Sequence, residues 1–120
     1  MIKTNTLVCK SLSENMSGVE LVENKIHNPL DDEVLIEVKA ASVNFPDLLM
    51  TQGKYQHKPE LPFGLGMEGS GIIQSVGAKV SKVKEGDEIT FGALGKGAFT
   101  ELICVNENSV EIKPSNLSFE

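Results

Sequence analysis

The sequence is poor in the features that mark several large classes of protein. Eleven Lys and Arg residues stand against 17 Asp and Glu residues, so the net charge is −6. An acidic chain without clustered cations does not provide the surface that nucleic acids or anionic membranes bind. No apolar run approaches the roughly 18 residues of a membrane span, and residues 1–6 lack the apolar core of a signal peptide. We therefore expect no nucleic-acid partner and no membrane partner.

Cysteine is also scarce. Cys9 and Cys104 are the only two, they are far apart in sequence, and each lies among apolar residues. We expect both to be buried free thiols, which favours a reducing compartment, the cytoplasm. A zinc site built on cysteines needs clustered ligands, and the number and separation of these two predict that there is none.

Glycine, in contrast, is concentrated in one stretch. Residues 62–77 hold five glycines in 16 positions around a single carboxylate, that of Glu68. Gly66 indicates a loop, whereas Gly69 and Gly71 alternate with larger residues, as at a strand start that another backbone or a ligand approaches closely. Two interpretations stay open, a tight corner of a β-barrel and a loop that presents Glu68 to a site.

Elsewhere the patterns predict a mainly β fold with one or two short helices, in a single domain over residues 1–120. In the clearest strand, residues 33–43, Val34, Ile36 and Val38 share an apolar face, and Leu35 falls between Glu33 and Glu37 on the other. Pro and Gly turns separate the strands, as is typical of a barrel or sandwich-like domain. The predicted strands cover residues 7–9, 19–23, 33–43, 72–76, 88–91, 98–105 and 110–112.

A short helix is predicted directly after residue 43. Asn44 or Phe45 caps it, Pro46 occupies its first turn, and Gly53 ends it. Asp47 falls in the first turn, where a carboxylate interacts favourably with the helix dipole and accepts backbone N–H groups. We therefore expect Asp47 to have a structural role.

Three segments in this order and spacing resemble a known family. They are residues 44–47 with 52–55, residues 66–71, and residues 83–87 before a strand. Together they resemble the N-terminal part of the medium-chain dehydrogenase/reductase superfamily, and most of all its zinc-free quinone oxidoreductase and enoyl reductase branch. The resemblance extends over almost the whole chain. It implies a GroES-like, partly open β-barrel.

The chain departs from the zinc-dependent alcohol dehydrogenases of that superfamily at the metal site. Those enzymes carry a catalytic Cys where this chain has Asn44, and a His where it has Met67. An amide and a thioether do not replace thiolate and imidazole as zinc ligands, and Glu68 alone cannot hold the metal. The four-cysteine structural zinc lobe is missing as well. We therefore predict a zinc-independent member with no metal site.

A second departure concerns the nicotinamide cofactor. Members of the superfamily continue into a Rossmann domain, whose Gly-x-Gly-x-x-Gly fingerprint is not in this sequence. Residues 92–97 are glycine-rich, but their spacing is wrong and a strand pattern follows. We expect an incomplete catalytic domain without its Rossmann domain, so that NADPH binds mainly outside this chain. A helix leading towards that domain is expected to begin with Ser118 as its N-cap.

The resemblance implies an enzyme in which NADPH delivers a hydride to a quinone or to the β-carbon of an enone. Tyr55 matches a tyrosine of the enoyl reductase branch and is the candidate hydrogen-bond or proton donor, the alternative being a ring that only packs. Asn44 is the second catalytic candidate, since its amide suits the nicotinamide ribose or a substrate oxygen, the alternative being a helix cap. The expected pocket residues are Phe45, Met67 and Glu68, and the expected structural glycines are Gly66, Gly69 and Gly71.

Two other functions stay open. One is a 2-enoyl thioester reductase with Tyr55 as proton donor. The other is a non-catalytic GroES-like binding or scaffold domain. A co-chaperonin needs a long mobile loop with an apolar tip near the N-terminus, and residues 11–18 are polar, which disfavours that class. The complete enzyme is expected to be a homodimer that acts on a small molecule.

Overall fold

The computed structural model describes all 120 residues, Met1–Glu120. It has one α-helix, α1, Phe45–Thr51, and one 3₁₀ turn, Glu107–Ser109. This confirms a mainly β fold with one or two short helices. The strands are β1 Ile2–Cys9, β2 Val19–Ile26, β3 Glu33–Ala41, β4 Phe63–Gly64, β5 Glu68–Val76, β6 Glu88–Gly92, β7 Leu102–Asn106 and β8 Val110–Ile112.

The helical segments of this fold are short. The α-helix has only seven residues, and no helix has the length and apolar character that crossing a bilayer requires.

The strands form two antiparallel sheets. The first has the order β2–β1–β4, and the second has the order β7–β3–β5–β6–β8. The segment before β7 joins them: the Leu7 N–H donates to the Phe99 carbonyl at 2.8 Å. Two residues later, the Glu101 carbonyl accepts a hydrogen bond from the Val38 N–H at 2.9 Å. The sheets are joined without closing into a single ring of strands, which confirms the partly open barrel.

Two hydrophobic clusters hold these layers together. The larger one contains 11 buried residues and belongs mainly to the five-stranded sheet. The smaller cluster consists of Cys9, Met50, Phe63 and Leu65, with partly buried neighbours that include Tyr55 and Met67. Each fully buried aliphatic or aromatic side chain contributes about 1.5–3 kcal/mol, so Met50 anchors α1 against β1 and β4.

The glycine-rich stretch marks a place where two backbones come unusually close. A Cβ atom on Gly71 would lie 2.2 Å from the Glu37 carbonyl oxygen, and one on Gly69 would lie 2.7 Å from the Ala40 carbonyl oxygen. The pairing of β3 with β5 also shifts register between Val38 and Ala40. This is the geometry of a bulged corner, where glycine is required because any side chain would collide with the facing strand.

Several sequence predictions were wrong at their boundaries. β3 ends at Ala41, so Ser42 and Val43 belong to the loop before α1. β7 begins at Leu102 rather than at residue 98, because the preceding segment bonds alternately to the two sheets. The last residues form no helix, and the Phe119 carbonyl instead accepts a hydrogen bond from the Ser70 hydroxyl.

Leu35 is buried, with only 7% of its surface exposed, although it shares its face of β3 with Glu33 and Glu37. β3 is paired on both sides, with Leu35 opposite Ser75 of β5 and Cys104 of β7. Strands on both edges place neighbouring side chains on each side of Leu35, which helps to bury it.

Candidate functional site

A cleft of about 670 Å³ opens where β3 and β6 end and β5 begins. Its walls include Ser42, Met67, Glu68 and Thr90, and the C-terminal segment contributes Phe119. Pockets of about 300–1,000 Å³ are the usual size for small-molecule sites. The cleft is therefore the candidate functional site.

Two of the expected pocket residues line this cleft. Met67 is half-buried and also packs against the smaller cluster, so it connects the cleft with the interior beside α1. Glu68 is exposed at the start of β5, where its backbone pairs with Gly92. Its carboxylate takes part in no hydrogen bond or ion pair within the chain. The carboxylate is free to meet a ligand.

Asn44 does not itself line the cleft but is hydrogen-bonded to one of its wall residues. It occupies the N-cap position of α1 in an extended conformation. Its side-chain amide donates to the Ser42 hydroxyl at 3.1 Å, and its backbone N–H donates to the Asp47 carboxylate at 2.9 Å. Because the amide points to Ser42, a residue of the cleft wall, Asn44 combines a capping position with a place near the candidate site.

Asp47 holds this arrangement together. Its side chain is 4% exposed, and each carboxylate oxygen accepts a backbone N–H, from Asn44 at 2.9 Å and from Gly66 at 3.2 Å. Gly66 has φ +101°, a conformation that other residues rarely adopt. The carboxylate thus ties the start of α1 to the turn before Met67.

Tyr55 lies beyond the end of α1, past Gly53, whose φ is +71°. Its ring packs against the smaller cluster, as Met67 does, but its hydroxyl forms no hydrogen bond within the chain. Tyr55 therefore combines a packed ring with a hydroxyl group that remains free to donate a hydrogen bond. Phe45, in contrast, is 70% exposed and lines neither the cleft nor the smaller cluster.

The structure brings only part of the expected set together. Met67 and Glu68 share the cleft, Asn44 donates a hydrogen bond to Ser42 of its wall, and Tyr55 packs against the smaller cluster, as Met67 does. Sequence reasoning missed Ser42, Thr90 and Phe119, which line the same cleft. Ser42 and Thr90 were missed because they fell in predicted strands. Phe119 was missed because it reaches the cleft only where the end of the chain folds back onto β5.

The donor set near the cleft does not fit zinc. Asn44 and Met67 offer an amide and a thioether, and the cleft is lined by the carboxylates of Glu68, Glu111 and Glu120 without any imidazole or thiolate. Both cysteines are free and buried, and burial raises the pKa of each thiol. A thiol with a raised pKa is a poor nucleophile, so neither cysteine has the properties of a catalytic thiolate.

Residues 92–97 do not fit a dinucleotide either. Gly97, at φ +97°, packs directly on β4, and a Cβ atom there would lie 2.6 Å from the Gly64 Cα. No helix follows this loop, so no helix N-terminus is available for a pyrophosphate. Gly97 thus serves the packing between the loop and β4.

Known proteins share this sequence and fold. The alcohol dehydrogenase GroES-like domain family matches residues 30–115. Quinone oxidoreductase 1 of Escherichia coli (strain K12) is 33% identical over 102 residues, which are 85% of this chain and 31% of that protein. Quinone oxidoreductase-like protein 2 of Mus musculus is 39% identical over 113 residues, which are 94% of this chain and 31% of that protein.

A solved structure of similar sequence has the same fold. The quinone oxidoreductase of Pseudomonas syringae pv. Tomato DC3000 superimposes with a TM-score of 0.86 at 28% identity, covering 97% of this chain and 35% of that one. The chain thus spans about a third of the length of the relatives that it matches.

Proposed function

This chain belongs to the alcohol dehydrogenase GroES-like domain family, in the quinone oxidoreductase branch of the medium-chain dehydrogenase/reductase superfamily, and on that premise we propose that it forms the substrate side of an oxidoreductase. The proposed enzyme is NADPH-dependent and zinc-independent, and it reduces a quinone or an enone. The observation that carries the proposal is the cleft lined by Met67 and Glu68, whose wall residue Ser42 accepts a hydrogen bond from Asn44 and which offers no zinc ligand set.

In this proposal, the residues of this chain bind the acceptor and polarise its carbonyl group. When bound, the nicotinamide supplies the hydride. The acceptor gains negative charge on its carbonyl oxygen, and a positioned donor stabilises that charge or transfers a proton. Tyr55 fits this role because its ring is held by the smaller cluster while its hydroxyl has no partner within the chain.

Met67 and Asn44 have complementary tasks in this proposal. The Met67 thioether offers soft apolar surface between the cleft and the smaller cluster, which suits a flat quinone or enone. The Asn44 amide, directed to the cleft wall by Ser42, supplies a donor for a ribose hydroxyl or a substrate oxygen. Glu68 adds a carboxylate at the cleft mouth.

Tyr55 also supports the narrower alternative of a 2-enoyl thioester reductase, since a phenol with a free hydroxyl can protonate the α-carbon after hydride transfer. A scaffold function is less well supported. The loop over residues 11–18 is fastened to α1, because the Ser13 N–H donates to the Thr51 carbonyl at 2.9 Å and Glu14 pairs with Lys54 at 3.0 Å. A loop held in this way does not suit the mobile partner-binding loop of a co-chaperonin.

The same proposal includes the compartment and the oligomeric state of the enzyme. Both cysteines are free thiols, which suits a reducing compartment, and we place the enzyme in the cytoplasm. We expect the complete protein to be a homodimer, as the family resemblance implies.

The experiment is an assay of an enzyme in which this domain is joined to a dinucleotide-binding domain. NADPH oxidation is followed with a set of quinones and a set of enones, before and after dialysis against a chelator. We expect turnover of one set, unchanged by chelation. Activity that disappears with the chelator and returns with zinc would overturn zinc independence, and turnover of neither set would overturn the proposed acceptor class.

A further inference from the structure

A second group of chemically active side chains lies apart from the cleft. His27 follows β2, Glu33 begins β3, and Cys104 lies in the middle of β7. One ligand atom from each lies within 4.8 Å of the other two. We propose that His27, Glu33 and Cys104 bind a divalent transition metal, and that zinc is the ion they fit best.

The distances are close to those of a zinc site. Bonds of about 2.0–2.3 Å in a tetrahedral site place the ligand atoms about 3.5 Å from one another. His27 Nδ1 and Glu33 Oε1 lie 3.9 Å apart, so a small rotation of the exposed imidazole brings them into range. Imidazole, carboxylate and thiolate are the three ligand types that zinc accepts, and three protein ligands leave a fourth position open.

The Glu33 carboxylate is already oriented by other groups. Its Oε2 lies 3.6 Å from Lys96 Nζ, and its Oε1 accepts the Leu30 N–H at 3.1 Å. Lys96 also donates to the Cys104 carbonyl at 3.0 Å, so its ammonium is itself held in place. Such outer contacts fix a metal ligand before the ion arrives. Oε1 is thus the oxygen directed towards His27 and the metal position.

An access path is present. A cavity of about 310 Å³ is lined by His27, Lys96 and Cys104 and shares no lining residue with the cleft. An ion can therefore reach the buried sulfur from the side of the exposed imidazole. The site is separate from the one assigned to the substrate, so a metal bound there takes no part in the reduction proposed for the cleft, which stays zinc-independent.

One proton must leave when the metal binds, that of the Cys104 thiol, because a neutral imidazole keeps its single proton on the nitrogen that does not bind the metal. The Cys104 thiol now donates to the His27 carbonyl at 3.6 Å, and His27 Nδ1 lies 2.7 Å from the Asn28 carbonyl oxygen. Burial, together with the Glu33 carboxylate, raises the pKa of the Cys104 thiol. A coordinated dication reverses that effect, because the metal binds the thiolate directly.

The test is a titration of the reduced 120-residue chain with Co²⁺ alone, followed by displacement with Zn²⁺. Ligation by a thiolate gives cobalt a sulfur-to-metal charge-transfer band. We expect one equivalent of Co²⁺, a band that Zn²⁺ removes, and loss of the band in Cys104→Ser. Cys9→Ser is the matched control, since Cys9 is the other buried free thiol. The charge-transfer band of this variant should be unchanged.

The two histidines give a second matched pair. His27→Gln should weaken Co²⁺ binding at least about tenfold, whereas His57→Gln should leave it unchanged. Because the His27 side chain is exposed, this pair decides the question even if Cys104→Ser does not fold. The proposal is overturned if the chain binds no Co²⁺, if the band survives Cys104→Ser, or if His27→Gln binds as tightly as the original chain. None of these readouts depends on NADPH or on enzyme activity.

Discussion

The Asp47 carboxylate accepts the Gly66 N–H at 3.2 Å, across 19 positions of sequence. Its other oxygen accepts the Asn44 N–H. One buried side chain therefore links the residue at the start of α1 to the turn that leads into Met67 and Glu68. The relative position of Asn44 and the cleft depends on this link.

Asp47→Asn should destabilise the domain by about 1–3 kcal/mol. The amide keeps the shape of the carboxylate, but its NH₂ group faces a backbone N–H, so one buried donor loses its acceptor. Urea unfolding followed by circular dichroism measures the change. Glu60→Gln is the control, because that carboxylate is exposed and forms no hydrogen bond or ion pair in the chain. Equal stability of the two variants would show that the Asp47–Gly66 link contributes nothing.

Gly71→Ala should be more damaging, because its Cβ atom would collide with the Glu37 carbonyl oxygen on the facing strand. Overpacking of this kind costs about 1–3 kcal/mol or more. Gly92→Ala is the matched control in the adjacent strand, since nothing lies within 4 Å of its added Cβ atom. The control should be neutral or gain about 0.4–1 kcal/mol from reduced freedom of the unfolded chain. Thermal melts compare the two variants, and a Gly71→Ala protein as stable as Gly92→Ala would contradict the close approach.

The 120-residue chain alone should not bind NADPH with useful affinity. Its glycine-rich loop over residues 92–97 packs on β4 and opens no helix that could accept a pyrophosphate. Isothermal titration calorimetry with NADPH is the measurement, and the same titration of the domain joined to a dinucleotide-binding domain is the control. Micromolar binding by the chain alone would mean that the cofactor site lies here after all.

Tyr55→Phe in the joined enzyme should lower kcat on an enone by about 10²–10³-fold, because one positioned donor is lost while the ring stays packed. Unfolding midpoints should stay close to those of the parent. A ring that only packs predicts the reverse, with Phe tolerated and Tyr55→Ala destabilising. Steady-state kinetics and unfolding of both variants separate the two roles.

The same variant distinguishes the two acceptor classes. Solvent can protonate a hydroquinone anion, so Tyr55→Phe should affect quinone reduction less than enone reduction. An unchanged kcat on every enone tested would remove Tyr55 from the mechanism and leave Asn44 as the best candidate.

Elements with strong local signals were predicted well. The start of α1 at Asn44 and Pro46, its end before Gly53, and the last strand, Val110–Ile112, all agree with the structure. The two-residue strand β4 was missed, because a pair of residues carries no periodicity. The start of β7 was misplaced because alternation over residues 98–105 does not reveal which sheet each residue joins.

The candidate site was predictable only in part. Met67 and Glu68 stand beside the glycines that shape the corner, so the same stretch of sequence indicates both the corner and the pocket wall. Phe45 is adjacent to Asn44 in sequence, yet its ring points outward. The direction of a side chain at a helix start depends on how the helix docks, which neighbouring residues do not specify.

The sequence by itself determined the mainly β class, the capped helix, the unsuitability of Asn44 and Met67 as zinc ligands, and the lack of a dinucleotide fingerprint. Each of these depends on residue chemistry or on spacing within a few positions. Only the tertiary structure decided that Asp47 reaches Gly66, that Gly71 lies against Glu37, and that Cys104 meets His27 and Glu33. Those contacts join residues 19 to 77 positions apart. They exist because strand register and close packing bring distant segments within a few ångströms. Local sequence specifies neither the register nor the packing.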